Sequence, residues 1–293
     1  MKKHFLVTIS NDVEHLYGVR FLCSFFNTIS EYQLTLLHIC QQDKNDMNRT
    51  LNQMWKGPSG DPQAQLSPQA RKSINKAKEL LAGKRVAIDQ VMTKASVERY
   101  GKVKDILLEG ANGLYDAIIL GRRASYALQF MFERPADETA RAIVSDSGCT
   151  TPLWICPEPL DDRKNVLVCL DGSENAYRAV DHVGYILTEQ EQQNITLLHV
   201  ETGSGRQAQA IFDRAETILR EHAIPASRIN RKTVRGLSVP GTINGEAEKG
   251  RYAVIAVGMF GEKQEVAKKL TLAGGITTKL ISKVEKAALW CCP

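Results

Sequence analysis

Residues Pro152–Pro157 read PLWICP, and residues Ala288–Pro293 read ALWCCP. The chain has only three tryptophans, and two of them, Trp154 and Trp290, stand in these copies. Coincidence explains such an echo poorly, and three more echoes accompany it. FLVTIS at Phe5–Ser10 returns as VLVCLD at Val166–Asp171, and LTLLHI at Leu34–Ile39 returns as ITLLHV at Ile195–Val200. DAIILG at Asp116–Gly121 returns as AVIAVG at Ala253–Gly258. Four apolar segments recur in one order, which marks an internal repeat and sets the architecture before any other reading.

The repeat divides the 293 residues into two domains, 1–158 and 164–293, joined by the polar, Pro-containing stretch PEPLDDRK. The recurrent segments are short continuous runs of Val, Ile and Leu, the pattern of strands buried on both faces of a parallel sheet. Between them lie stretches with helical spacing. SENAYRAVDHVGYIL sets Ala176, Val180, Val183 and Leu187 on one face, with Ser173 as N-cap. Ile211, Ala215, Ile218 and Leu219 repeat the pattern, as do Ile74, Ala77 and Leu81, with Gly83 ending that helix. RVAIDQVMT (Arg85–Thr93) and RINRKTVR (Arg228–Arg235) supply third strands. The expectation is an α/β fold of two doubly wound, five-stranded, Rossmann-like parallel sheets in tandem.

The echoes also locate an insertion. His38 to His199 is a step of 161 positions and Gly121 to Gly258 one of 137, so the first copy carries 24 extra residues. The polar stretch 41–68 supplies them, and it reads as a long surface loop.

Composition narrows the function classes. Net charge is +5, from 38 basic and 33 acidic residues, too mild and dispersed for nucleic-acid binding. No apolar run approaches the ~18 residues of a membrane helix, and the run in MKKHFLVTIS is too short for a signal peptide. Seven cysteines, none in a C-x-x-C pair, fit the reducing cytoplasm.

In an open parallel sheet, ligands bind at the carboxyl ends of the strands where the winding reverses, here between the first and fourth strands of each copy. In the second copy those ends are LDGS (Leu170–Ser173) and VGMFG (Val257–Gly261). Asp171 can accept from a ligand hydroxyl or amine. Gly258 and Gly261 permit close backbone approach. Gly274 and Gly275 precede the last helix, whose N-terminal amides suit a phosphate, with Thr277 adding a hydroxyl and Lys263, Lys268 and Lys269 adding charge. His38 and His199 recur inside a strand motif and read as hydrogen-bonded sheet-end residues rather than metal ligands.

This arrangement resembles the universal stress protein family, in its tandem two-domain form. The resemblance rests on strand order, on DGSENA after the first strand, on LLHV and on the glycines before the last helix. It implies an adenine-nucleotide-hydrolase-like fold and a stress-response module that binds ATP or a related adenine nucleotide in the second domain. It places Leu170 and Asp171 at the nucleoside, Val200 at the adenine-side backbone contact, and Gly258, Gly261, Gly274, Gly275, Ile276 and Thr277 at the phosphates. The spacer Glu262–Ala273 is 12 residues, and Gly275 stands where the family usually has a hydroxyl residue. The first copy departs further: Ser10 replaces the aspartate, Ala124 the second glycine, and Asp137-Glu138 fall at the phosphate turn, where carboxylates repel phosphate.

No catalytic residues and no metal set are expected. The chain lacks the G-x-x-x-x-G-K-[ST] loop, the G-x-S-x-G elbow and spaced His/Cys/Asp ligands. Two alternatives stand beside the nucleotide-binding reading: an interaction scaffold without nucleotide, and a slow nucleotide-hydrolysing enzyme. The resemblance further implies pairing of the two domains through Leu153–Cys156 and Leu289–Cys292, with the two tryptophans near a pseudo-two-fold axis. A further homodimer is left open.

Overall fold

The computed structural model describes residues 2–40, 66–122, 149–201, 208–259 and 275–293. The first half runs β1 (His4–Thr8), α1 (Tyr17–Phe25), β2 (Gln33–Cys40), α2 (Pro68–Ala82), β3 (Val91–Val97), α3 (Lys102–Asn112), β4 (Ala117–Gly121) and β5 (Leu153–Cys156). The second runs β6 (Val166–Leu170), α4 (Glu174–Leu187), β7 (Ile195–Glu201), α5 (Ala208–Glu221), β8 (Ile229–Arg235), α6 (Val239–Lys249), β9 (Val254–Gly258), α7 (Ile276–Lys283) and β10 (Ala288–Cys292).

The ten strands form one sheet in the order β3-β2-β1-β4-β5-β10-β9-β6-β7-β8. The expected five-stranded sheets are present, each ordered third-second-first-fourth-fifth, but they are continuous with one another. Every neighbouring pair within a half is parallel. At the seam β5 and β10 run antiparallel, with Trp154 opposite Trp290, Ile155 opposite Leu289 and Leu153 opposite Cys291.

Alternation along each strand sends side chains to two cores, one on each side of the sheet. One core holds Val7, Leu36, Val168 and Leu197 under helical residues Val19 and Leu22 of α1, Ile74 of α2, Val180 of α4 and Ile211 of α5. The other holds Leu6, Ile118, Leu167 and Ile255 under Ile106 of α3, Ile243 of α6 and Leu280 of α7. In both halves the helices after the first two strands therefore lie on one face and the helix after the third strand on the other, where α7, after the fourth strand of the second half, joins it. That reversal opens a crevice between β1 and β4, and between β6 and β9.

Serine caps start three helices: Ser67 accepts from Ala70 N–H at 3.1 Å, Ser173 from Ala176 N–H at 3.2 Å, and Ser238 from Gly241 N–H at 3.4 Å. Two boundaries differ from the sequence reading. The polar loop drawn to residue 68 ends sooner, because Ser67 caps α2 and Pro68 occupies its first turn, where no backbone N–H is needed; residues 41–65 lie outside the described residues. The third strand starts at Val91 rather than Arg85, because a 3₁₀ turn, Ile88–Gln90, occupies the interval.

Polar side chains join the halves beside the seam. Gln190, almost fully buried, accepts from Asn27 N–H at 3.3 Å and donates to Tyr32 Oη at 2.9 Å and to Thr28 Oγ1. Gln193 donates to the Phe25 carbonyl at 2.8 Å, and Lys3 reaches Glu189 at 2.9 Å.

Candidate functional site

In the second half, β6 ends at Leu170, and the chain turns through Asp171 and Gly172, whose φ of +84° suits glycine. Asp171 Oδ1 accepts the Ser173 N–H at 2.9 Å, which holds the carboxylate at the strand end. Cys169, two residues earlier, has its thiol pushed up by burial and by the Asp171 carboxylate, so it stays a neutral lining group.

Across the crevice, Val168 of β6 lies opposite Ala256 of β9, a register that sets Leu170 level with Gly258. Gly258 backs onto the start of α4: a Cβ there would meet Asn175 C at 2.7 Å and Ala176 N at 2.9 Å. The glycine thus permits close helix-on-strand packing, a role the sequence reading did not assign. Gly121 does the same in the first half, where a Cβ would meet Gly18 N at 3.1 Å.

Helix α7 closes the crevice. Gly275 is its N-cap and offers no side chain to the first-turn amides, in contrast with Ser67, Ser173 and Ser238. Thr277, buried, donates its hydroxyl to Gly258 O at 2.9 Å, which fixes the helix N-terminus against the end of β9. Its hydrogen is committed there, so toward a ligand its oxygen acts as an acceptor. Ile276 is exposed beside it. Gly261, Gly274, Lys263, Lys268 and Lys269 lie outside the described residues.

Val200 falls inside β7, as its next-to-last residue and one position beyond the last β6·β7 pair, Leu170 with His199. His199 Nδ1 bonds the Leu170 carbonyl at 2.8 Å, and in the first half His38 Nδ1 bonds the Ile9 carbonyl at the same distance. Each imidazole thus ties the second strand of its half to the end of the first. Burial pulls His38 below the usual histidine range. Among the described residues no group of three or more His, Cys, Asp or Glu could hold a metal ion.

Beside the crevice, the first turn of α4 carries a further cluster. Arg214 of α5 forms a two-pronged pair with Glu174 at 2.6 and 2.7 Å and lies 3.9 Å over the Tyr177 ring. Glu174 and Arg214 stand 40 positions apart, so no local pattern announced them.

The first-half crevice differs in chemistry. Ser10 accepts from Asp12 N–H at 3.2 Å, and Asp12 accepts His15 Nδ1 at 2.9 Å. Ala124, Asp137 and Glu138 lie outside the described residues.

Solved structures of universal stress proteins share this architecture. One from Archaeoglobus fulgidus DSM 4304 matches 99% of this chain and 97% of its own at a TM-score of 0.65 and 15% identity. The fold is that of the universal stress proteins. A putative universal stress protein from Pseudomonas aeruginosa UCBPP-PA14 matches 99% of this chain and 93% of its own, at 0.56 and 14% identity. A functionally unknown protein from Pseudomonas aeruginosa PAO1 matches 99% and 92%, again at 0.56 and 14%. No family model and no curated protein matches the chain. The universal-stress-protein fold thus covers both halves, and among the described residues no helix is long and apolar enough to cross a membrane.

Proposed function

We propose that this chain is a tandem stress-response module that binds one adenine nucleotide, ATP or a close relative, in its second half. One observation carries the reading. The glycine-capped N-terminus of α7 is pinned by Thr277 to the end of β9, level with the end of β6 where Asp171 stands. Uncapped helix amides suit a phosphate, and a strand-end carboxylate suits ribose hydroxyls. Partly exposed Val200 adds apolar surface for the base, while Ile276 stands at the phosphate end beside the helix amides.

The nucleotide serves as a ligand rather than a substrate, because among the described residues none at the crevice is placed to activate water against a phosphate. The first half, with Ser10 at the aspartate position, acts as the partner that covers the β10 edge. Seven free thiols suit a reducing compartment, the cytoplasm. A second reading, a scaffold without nucleotide, draws on Gly258 and Thr277. Both have packing roles that need no ligand.

Calorimetric titration with ATP separates the two. The nucleotide reading expects about one site per chain, lost in Asp171→Ala and kept in Ser10→Ala. No heat of binding, together with no nucleotide in the mass spectrum of the native protein, would establish the scaffold.

A further inference from the structure

A side chain of the first half also reaches into the second away from the Gln190, Gln193 and Lys3 contacts. Gly121 and Gly258 end equivalent strands, so the next residues, Arg122 and Met259, are equivalent too. Their backbones behave alike: Arg122 N–H donates to Cys156 O at 2.7 Å, and Met259 N–H donates to Cys292 O at 2.6 Å. Their side chains do not. Met259 is buried in the apolar core. Arg122, equally buried, crosses the seam, and its guanidinium donates to the carbonyl of Val284.

Val284 is the C-cap of α7. The last carbonyls of a helix lack intrahelical partners and carry the negative end of its dipole, so a guanidinium there satisfies an acceptor and a charge together. Helix α7 has only eight residues, too few to hold its shape without tertiary contacts. It is therefore held at both ends: by Thr277 on β9 of its own half, and by Arg122 from the other half.

We propose that Arg122 is a positioning residue for the second half's ligand site, setting the place of α7 and hence of its N-terminal amides. The ligand part of this inference rests on the nucleotide reading above. The first half is then more than an edge cover. It supplies a side chain that its own pseudo-symmetric counterpart, Met259, cannot supply. A domain without the family's nucleotide motif is retained because its neighbour's site is incomplete without it.

Two measurements on the full-length chain test this. The first is hydrogen exchange, read by mass spectrometry without nucleotide, over residues 276–284. Arg122→Met should speed exchange there while the first-half strands keep their protection. Arg122→Lys, which retains a donor, should recover part of the protection. Arg228→Met removes another arginine, partly buried, that donates to the Gln193 carbonyl beside β8 at the outer edge of the sheet, and should leave 276–284 unchanged. The second is calorimetric titration with ATP, where Arg122→Met should weaken binding by about tenfold and Arg122→Lys by less. Exchange in 276–284 that equals wild type, or that rises uniformly over both halves, would overturn the proposal. If the wild-type chain binds no ATP, the nucleotide reading falls, and the exchange result alone decides whether Arg122 holds α7.

Discussion

Trp154 and Trp290 lie ring upon ring across the seam, with centroids 3.9 Å apart and planes within 5° of parallel. They face each other directly in the antiparallel ladder, and both are wholly buried. Their polar edges are not equivalent. Trp154 Nε1 donates to His182 Nε2 at 3.0 Å, whereas Trp290 Nε1 has no partner among the described residues.

That difference sets an order of mutational cost. Replacing either tryptophan with alanine should destabilise the chain by roughly 3–5 kcal/mol. Phenylalanine separates them. Trp154→Phe also leaves the buried His182 acceptor unpaired, a further cost of ~1–3 kcal/mol. Trp290→Phe removes an N–H that already lacks a partner, so it should cost less. Urea unfolding of both variants checks this, and equal costs would deny the hydrogen bond its role.

His182 makes a pH prediction. Burial pulls its pKa down to about 3, against a weaker opposing pull from Asp181. The ring is therefore neutral in the folded chain, while the unfolded chain protonates it near 6.5. Below about 6.5 the unfolded state binds more protons, so stability falls as pH drops toward 3. The single group contributes a slope of up to about 1.4 kcal/mol per pH unit in that window. His182→Gln keeps an acceptor for Trp154 and does not titrate. Its stability profile between pH 6 and 4 should be shallower than wild type by about one proton, whereas parallel profiles would show that the ring titrates freely.

Gly258 and Gly245 give opposite expectations for the same change. Gly258→Ala drives a methyl into the backbone of Asn175 and Ala176, at 2.7 and 2.9 Å, where nothing flexible can yield. A loss of ~1–3 kcal/mol should follow without any ligand present. Gly245 lies inside α6 with nothing within 4 Å of an added Cβ. Gly245→Ala should stabilise by ~0.5–1 kcal/mol. Thermal melts of the ligand-free variants decide whether Gly258 is there for packing.

The strands and their order were readable because β-runs such as LTLLHI and VLVCL are buried on both faces, which forces continuous apolar stretches. Helix α4 was readable for a related reason, since one apolar stripe and Ser173 both come from neighbouring residues. Contacts set by the folded chain were not readable. Nothing near Gly258 reveals that Asn175 backs onto it, 83 positions away. Thr277 stood out as a hydroxyl near glycines, but its partner is the carbonyl of Gly258, which only the folded chain brings close. Arg122 and Val284, 162 positions apart, meet because the sheet is continuous across the seam. The third strand's start was misplaced because Arg85–Gln90 looks apolar enough for a strand, while its backbone closes a 3₁₀ turn instead.

The last prediction concerns the seam itself. Strands β5 and β10 are short, entirely buried and apolar: LWIC and ALWCC. Cutting the chain in the linker, after Pro159, would leave each half with such a strand at an open edge. The outer edges are different: β8 carries Arg231, Lys232 and Arg235, charges that discourage pairing. Within one chain the linker holds the inner edges together at an effective concentration on the order of millimolar. Separate halves lose that advantage but keep complementary surfaces, including Gln190 for Tyr32, Arg122 for Val284 and Trp154 for Trp290. Fragments 1–159 and 160–293 should each self-associate or precipitate alone, because the apolar strand seeks any partner. Mixed, they should form a one-to-one complex and regain the near-ultraviolet circular dichroism of the stacked indoles. Two fragments that stay monomeric and ignore each other in analytical ultracentrifugation would show that the seam adds little to either half.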